Sequence, residues 1–327
     1  DHPALLTWII GNEVNFHYTN PKVFEAVNKV SVMIKEIDPN HPTTTALAGF
    51  DKKAINDIEA RAPDLDFISF QMYGELLELP ELIAEIGFEK PYFVTEWGAI
   101  GHWEVNKTPW GAPIENTSTE KAENYFRSYH EVLKPYANRA IGNYVFLWGQ
   151  KQEKTPTWYG MFLPTGEVTE PVDVMHEIWM GKKRDNTAPQ VSPITINGRT
   201  AFDDVKLSAG TPFNAVMGVT EPENDSVLIM WEIRKETTSK AVGGDAEYLP
   251  QHIETEIRTI SLGSALIEAP ENTGAYRLFA YVYDEFGNAP CGNGQTIAEG
   301  CNQIFNPTTG LFTSQDLAGV ALVRAPD

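Results

Sequence analysis

The feature that most constrains this chain is a change of hydrophobic rhythm. From residue 5 to about residue 180, short apolar runs alternate with amphipathic stretches, and after Lys182-Lys183-Arg184-Asp185-Asn186-Thr187-Ala188-Pro189 the pattern turns to period two with frequent turn residues. The first rhythm is that of β/α units around a parallel sheet, whose strands are buried on both faces and read as unbroken apolar runs. The second is that of antiparallel strands with one face buried. The chain is therefore read as two domains, 1–184 and 185–327. Its 327 residues exceed what one hydrophobic core normally supports.

Five strands are expected in the first domain: Leu5 to Ile10, Thr43 to Leu47, Phe67 to Met72, Tyr92 to Thr95 and Ile141 to Trp148. Helix signals lie between them. Asn20-Pro21 offers an N-cap and a proline suited to a first turn, and Val23, Val27, Val30, Ile34 and Ile37 follow near the helical period until Asp38-Pro39. Thr117 with Glu120 three residues on is a capping box opening a second long helix. Ala54 to Ala60, Leu77 to Ile86 and Val172 to Trp179 are shorter helices. In the second domain, Ser226 to Ile233 and Tyr276 to Tyr283 are the clearest strands, with a turn at Asp284 to Asn288, and an immunoglobulin-like sandwich is expected.

The formal charge of −20, from 45 acidic and 25 basic residues, repels phosphate backbones and anionic lipid, so neither nucleic acid nor a membrane is an expected partner. Cys291 and Cys301 are close enough in sequence to clip a Gly- and Asn-rich loop, although two thiols are the competing state. A bridge would place the chain in an oxidising compartment, extracellular or periplasmic. The His and Cys residues show no metal-ligand spacing, there is no Gly-rich phosphate loop, and Asp225 and Asp284 read as exposed turn residues. No metal and no cofactor is expected.

Chemistry concentrates at two strand ends. Trp8-Ile9-Ile10-Gly11-Asn12-Glu13 puts an Asn-Glu pair after the first strand, and Pro91-Tyr92-Phe93-Val94-Thr95-Glu96-Trp97-Gly98 puts a second carboxylate after the fourth. In parallel sheets the carboxyl ends of strands carry the catalytic groups. Two carboxyl groups at one rim suit glycoside cleavage with retention, in which one protonates the leaving oxygen and the other attacks the anomeric carbon from about 5–5.5 Å away. Glu13 is the expected general acid/base and Glu96 the nucleophile, which must remain charged.

These segments resemble clan A glycoside hydrolases. His2-Pro3-Ala4-Leu5-Leu6-Thr7-Trp8 through Asn12-Glu13 is most similar to the family 2 barrel signature, and Thr95-Glu96-Trp97-Gly98 to its nucleophile strand. The resemblance implies a (β/α)8 TIM barrel of which the five strands are numbers 4 to 8, followed by the sandwich. It also implies that Asn12 hydrogen-bonds the sugar 2-hydroxyl, that Tyr73 is the strand-6 aromatic that often bonds the nucleophile, and that Trp148 floors the sugar subsite. Tyr73 capping the core and Trp148 as a purely structural residue are the alternatives. His102, Trp103 and Trp110 after Glu96, and Trp158 after the last strand, offer further sugar platforms or pack the loops against one another.

The resemblance implies activity on β-linked carbohydrate without a cofactor, with a carbohydrate-binding or scaffold module as the alternative. It covers residues 2 to 180 and lacks the three units that precede strand 4. The natural amino terminus is accordingly expected to lie upstream. Five strands do not close a barrel, so Leu5 to Ile10 and Ile141 to Trp148 should not pair. The missing strands are expected from an upstream segment or another chain.

Overall fold

The computed structural model describes residues 2–241, 243 and 245–296. Cys301, and with it the expected bridge, lies outside the described residues; Cys291 is buried. No helix among the described residues is long and apolar enough to cross a membrane. The chain forms two compact units, Asp1–Gly98 with Phe126–Phe146, and Ala99–Tyr125 with Leu147–Asp327.

The first unit is built on parallel strands: β1 (Trp8–Ile9), β2 (Thr43–Thr44), β3 (Ala46–Ala48), β4 (Ile68–Gln71), β5 (Tyr92–Gly98) and β6 (Ala140–Phe146). β1 pairs with β2, and β3, β4, β5 and β6 pair in that order. β2 and β3 are one stretch of chain interrupted at Thr45, so the five expected strand positions are occupied in sequence. β1 and β6 do not pair with each other among the described residues, and the array is open. Its interior is apolar where the sequence is: Leu47, Ile68, Phe70, Tyr92, Phe93 and Val94 are buried.

Three expectations shift. The strand expected at Leu5 to Ile10 shrinks to two residues, and Leu6, Trp8 and Ile9 are exposed, because among the described residues β1 pairs with β2 alone. The strand expected to stop at Thr95 runs on to Gly98, so Glu96 lies within it. Helix α1 (Lys22–Ile37) buries Phe24, Val27 and Ser31 rather than Val30 and Ile37, the latter 77% exposed. The reason is a polar anchor: Ser31 Oγ meets Thr43 Oγ1 at 2.7 Å and donates to Asp64 O at 3.0 Å, which rotates the helix around a small residue. Helices α2 (Lys52–Arg61), capped by Asp51 accepting from Ala54 N, and α3 (Leu79–Ile86) complete the crossovers.

The second unit contains an antiparallel sandwich. Helix α4 (Ser118–Arg127) begins there, with the capping box formed in both directions: Thr117 N donates to Glu120 Oε2 at 2.7 Å and Glu120 N to Thr117 Oγ1 at 3.2 Å. Helix α5 (Glu170–Met180) precedes β7 (Gln190–Val191), β8 (Thr195–Ile196), β9 (Pro212–Val216), β10 (Val219–Thr220), β11 (Val227–Lys235), β12 (Ile257–Ser261), β13 (Ser264–Glu268), β14 (Tyr276–Asp284) and β15 (Cys291–Thr296). The sheets β12-β13-β9-β8 and β11-β14-β15 enclose a core of Phe213, Ala215, Ile267, Trp231, Ile233, Leu278 and Val282. At the expected turn, Asp284 Oδ1 accepts from Phe286 N and Asn288 N.

The units do not divide at residue 184. β14 is buried on both faces, and Phe279, Tyr281 and Tyr283 on its second face pack with Leu163, Ala289 and Cys291. Val168 N donates to Gly287 O, Val191 N to Thr119 Oγ1 and Cys291 N to Ser118 Oγ. The segments after β5 and β6 therefore close the sandwich, and a boundary drawn from hydrophobic period could not register these long-range ties.

Candidate active site

The loop after β1 is held from both ends. Ile10 N donates to Thr44 O at 2.7 Å, and Thr45 Oγ1 donates to Ile10 O at 2.7 Å. Gly11 then turns the chain with φ 79°, where a Cβ would lie 2.5 Å from Val14 Cγ1. Glu13 itself takes a positive φ of 48°, a conformation that costs a non-glycine residue about 1 kcal/mol or more and concentrates at functional sites. The buried Asn15 fixes the far side, bonding Ala48 N at 2.8 Å through Oδ1 and Ala48 O at 2.9 Å through Nδ2. The Asn12-Glu13 pair is thus displayed on a short loop clamped to β2 and β3.

Glu96 is placed by a bulge. Phe70 pairs with Val94 but Gln71 pairs with Glu96, so Thr95 is an extra residue in β5. The register also shifts on the β6 side between Val94 and Trp97. A bulge re-aims the side chains that follow it and is a device of strand ends near active sites. Here it brings Glu96 level with Gln71.

The carboxylate receives a donor on each oxygen. Gln71 Nε2 donates to Glu96 Oε1 at 2.7 Å, and Tyr73 Oη donates to Glu96 Oε2 at 2.6 Å. The second hydrogen of Gln71 Nε2 goes to Asn12 Oδ1 at 2.6 Å. An ionised carboxylate only accepts, so the amide must turn its nitrogen toward Glu96 and the arrangement is matched to a charged Glu96. Gln71 and Tyr73 are themselves buried, and Tyr73 stands edge-on to Phe146 with centroids 5.9 Å apart. Two rigid, dry donors hold one side chain in one orientation.

Of the residues expected at the site, the structure joins Asn12, Tyr73 and Glu96, with Glu13 adjacent to Asn12. Gln71 was missed. Its signal is a polar residue at the end of the apolar run Phe67-Ile68-Ser69-Phe70, two positions before Tyr73.

The other expected residues belong to the second unit. His102 Nε2 lies 3.3 Å from Glu153 Oε1, and its ring meets Trp103 and Trp158 edge-on at 4.9 and 5.9 Å. Burial pushes the Glu153 carboxyl up, but His102 and Lys151 outweigh it and hold the group below its ordinary range. Trp158 is buried and donates to Ile100 O at 2.9 Å, whereas Trp103 is exposed. Trp110 lies in a tight turn closed by Thr108 N to Ala112 O at 2.8 Å. Trp148 is exposed and packs against Phe162 and Trp179, with centroids 5.1 and 5.4 Å away.

Among the described residues, Glu221, Glu223 and Asp225 bring three carboxylates within reach of one metal ion. They are already engaged by protein donors: Asn186 Nδ2 with Asp225, Thr187 Oγ1 with Glu223 and Asp225 N with Glu221.

No protein-family profile matches the chain, and no curated protein matches it in sequence. Among solved structures it is similar to a calcium binding mutant of Bacteroides uniformis β-glucuronidase 2, with 15% identity and a TM-score of 0.42, over 98% of this chain and 36% of that one. It is also similar to an FMN-binding β-glucuronidase from Faecalibacterium prausnitzii, with 14% identity and a TM-score of 0.41, over 90% of this chain and 42% of that one. A glycoside hydrolase family 53 catalytic domain from Ignisphaera aggregans matches with 16% identity and a TM-score of 0.39, over 50% of this chain and 56% of that one. The chain spans less than half the length of the β-glucuronidases that it matches.

Proposed function

We propose that this chain carries the catalytic groups of a retaining β-glycoside hydrolase acting on β-linked oligo- or polysaccharide. The observation that carries the proposal is the Glu96 carboxylate, gripped through each oxygen by Gln71 and Tyr73, with Gln71 tied to Asn12 beside Glu13. Glu96 attacks the anomeric carbon while Glu13 gives its proton to the departing glycosidic oxygen, leaving a glycosyl ester on Glu96. Water, deprotonated by Glu13, then releases the sugar with retained configuration and restores both groups. Asn12 supports the sugar 2-hydroxyl as positive charge develops on the ring.

The edges of the first unit support a second element of the proposal. Leu6, Trp8 and Ile9 are exposed at β1, Val30, Met33 and Ile37 form an exposed stripe on α1, and Ile141 and Tyr144 are exposed on β6. Unpaired apolar edges are an aggregation liability that folds normally cover. We infer that strands from an upstream segment or another chain pair with β1 and β6 and complete the site.

The test is trapping with activated 2-deoxy-2-fluoro β-glycosides of glucose, galactose, mannose and glucuronic acid, followed by peptide mass spectrometry. A single adduct on Glu96 is expected in the protein completed by those strands. Labelling of another residue would overturn the assignment of Glu96. Saturable glycan binding without turnover or label in the completed protein would identify a carbohydrate-binding or scaffold module instead.

A further inference from the structure

Within the second unit, four charged side chains are buried together: Glu115 with its side chain 0% exposed, Arg277 2%, Lys121 6% and Glu236 8%. They come from the segment after β5, from α4, from the residue that follows β11 and from β14. Arg277 Nε and Nη2 donate to the two oxygens of Glu236 at 3.1 and 2.9 Å, and Nη1 lies 3.6 Å from Glu115 Oε2. Lys121 Nζ donates to Glu115 Oε1 at 2.6 Å. Two cations and two anions balance, but a buried ion cluster is seldom more stabilising than apolar packing of the same volume. Stability alone therefore does not account for it, and the remaining donors show what else it does.

Those donors go to loop backbone. Arg277 Nη2 donates to Pro113 O at 3.0 Å and Lys121 Nζ to Thr157 O at 2.6 Å, while Thr157 Oγ1 donates to Glu115 Oε1 at 2.8 Å. Pro113 forms the base of a small hairpin, bridged to Lys107 and closed by Ile114 N to Asn106 O, with Trp110 in its turn. The Arg277 guanidinium also lies 5.9 Å from the centroid of Trp158, whose indole bonds Ile100 O. The next loop is tied to the sandwich as well: Lys154 Nζ donates to Ser239 O at 3.0 Å, and Lys154 N to Glu247 Oε2 at 3.0 Å. Both segments that leave the parallel strands are thus fastened by sandwich residues, the first starting directly after β5, the strand that carries Glu96.

We propose that Arg277 is a positioning residue for glycan recognition, setting through Pro113, Glu115 and Trp158 the aromatic segment 99–121 that follows Glu96. This deepens the glycosidase reading and rests on it for the word glycan; the mechanical part stands apart from it. An arginine suits the position because its planar fork grips both oxygens of Glu236 through two nitrogens while Nη2 also reaches the Pro113 carbonyl, a bidentate geometry that the single nitrogen of a lysine does not reproduce.

The test uses the full 327-residue chain carrying Arg277→Met with Glu236→Gln, so that one buried cation and one buried anion are removed together. Arg277→Lys serves as the conservative variant. Amide hydrogen exchange is expected to quicken at least tenfold across 100–121 and 153–158 in the double variant and to be partly restored in Arg277→Lys, with β9 and β13 unchanged. Equal exchange in all proteins would overturn the proposal, and so would acceleration spread evenly through β9 and β13, which marks general loosening. In parallel, with the proteins completed by the missing strands, whichever p-nitrophenyl β-glycoside the wild type cleaves should show in the double variant a KM raised about tenfold with kcat within twofold. A matched fall of kcat with unchanged KM would also overturn it. If the wild type completed by the missing strands cleaves none and takes no 2-fluoro label, the glycosidase reading fails, and the exchange measurement alone decides whether Arg277 positions the segment.

Discussion

Replacing Gln71 with Met removes the donor between Asn12 and Glu96 while keeping the length and burial of the side chain. Two bonds are lost, a charge-assisted one of 2.7 Å to Glu96 and a neutral one of 2.6 Å to Asn12. A hydrogen bond to a charged group contributes about 1.5–3 kcal/mol. If its orienting effect on Glu96 is expressed in the attack step, the rate falls by roughly 10- to 150-fold, since about 1.4 kcal/mol is a factor of ten. The loss in fold stability should be smaller, because Gln71 Oε1 is buried without a hydrogen-bond partner and its removal offsets part of the cost. The assay is the second-order rate of labelling by a 2-deoxy-2-fluoro glycoside, which reports attack by Glu96 alone, with thermal unfolding alongside. Gln71→Glu should be worse at neutral pH and recover on acidification, because a second carboxylate beside Glu96 repels it until one of the pair is protonated. Labelling of Gln71→Met within twofold of wild type, with an unchanged melting temperature, would refute the reasoning.

Tyr73→Phe deletes the 2.6 Å bond to Glu96 Oε2 and should slow labelling about tenfold or more with little change in melting temperature; an unaltered rate would leave Tyr73 as a core residue only. Gly11→Ala meets both a positive φ and a contact at 2.5 Å with Val14, so the melting temperature should fall by several degrees, about 2–4 °C per kcal/mol, together with activity. Burial pushes the Glu170 carboxyl well above its ordinary range despite the hydroxyl of Thr119. The folded state thus favours the protonated form, and this contribution is full below the carboxyl's unfolded pKa and lost as pH rises through the raised one. Glu170→Gln should melt higher than wild type at pH 8, with the difference vanishing toward pH 4, as differential scanning calorimetry across that range would show.

What the sequence determines by itself are the properties carried by neighbouring residues. The runs around Phe70 and Val94 are apolar enough to be strands buried on both faces, and β4 and β5 form where those runs lie. Thr117 and Glu120 specify a capping box because the bonds span three residues, and both bonds form. Asn12-Glu13 and Glu96 stand out because each carboxylate follows an apolar run, and the parallel arrangement of those runs follows from the helices between them. The tertiary structure decides what depends on residues far apart. The bulge at Thr95 has no local marker, since it exists only in the pairing of β5 with β4. Gln71 looks like an ordinary polar residue until the fold brings Asn12 and Glu96 to either side of its amide. The rotation of α1 toward Phe24 and Ser31 was set by Thr43 and Asp64, which a helical period cannot weigh. Arg277 and Pro113 are separated by 164 residues, and no pattern in either neighbourhood announces the other. A buried charge is tolerated only where its counter-charge is delivered, and that delivery is a property of the folded chain.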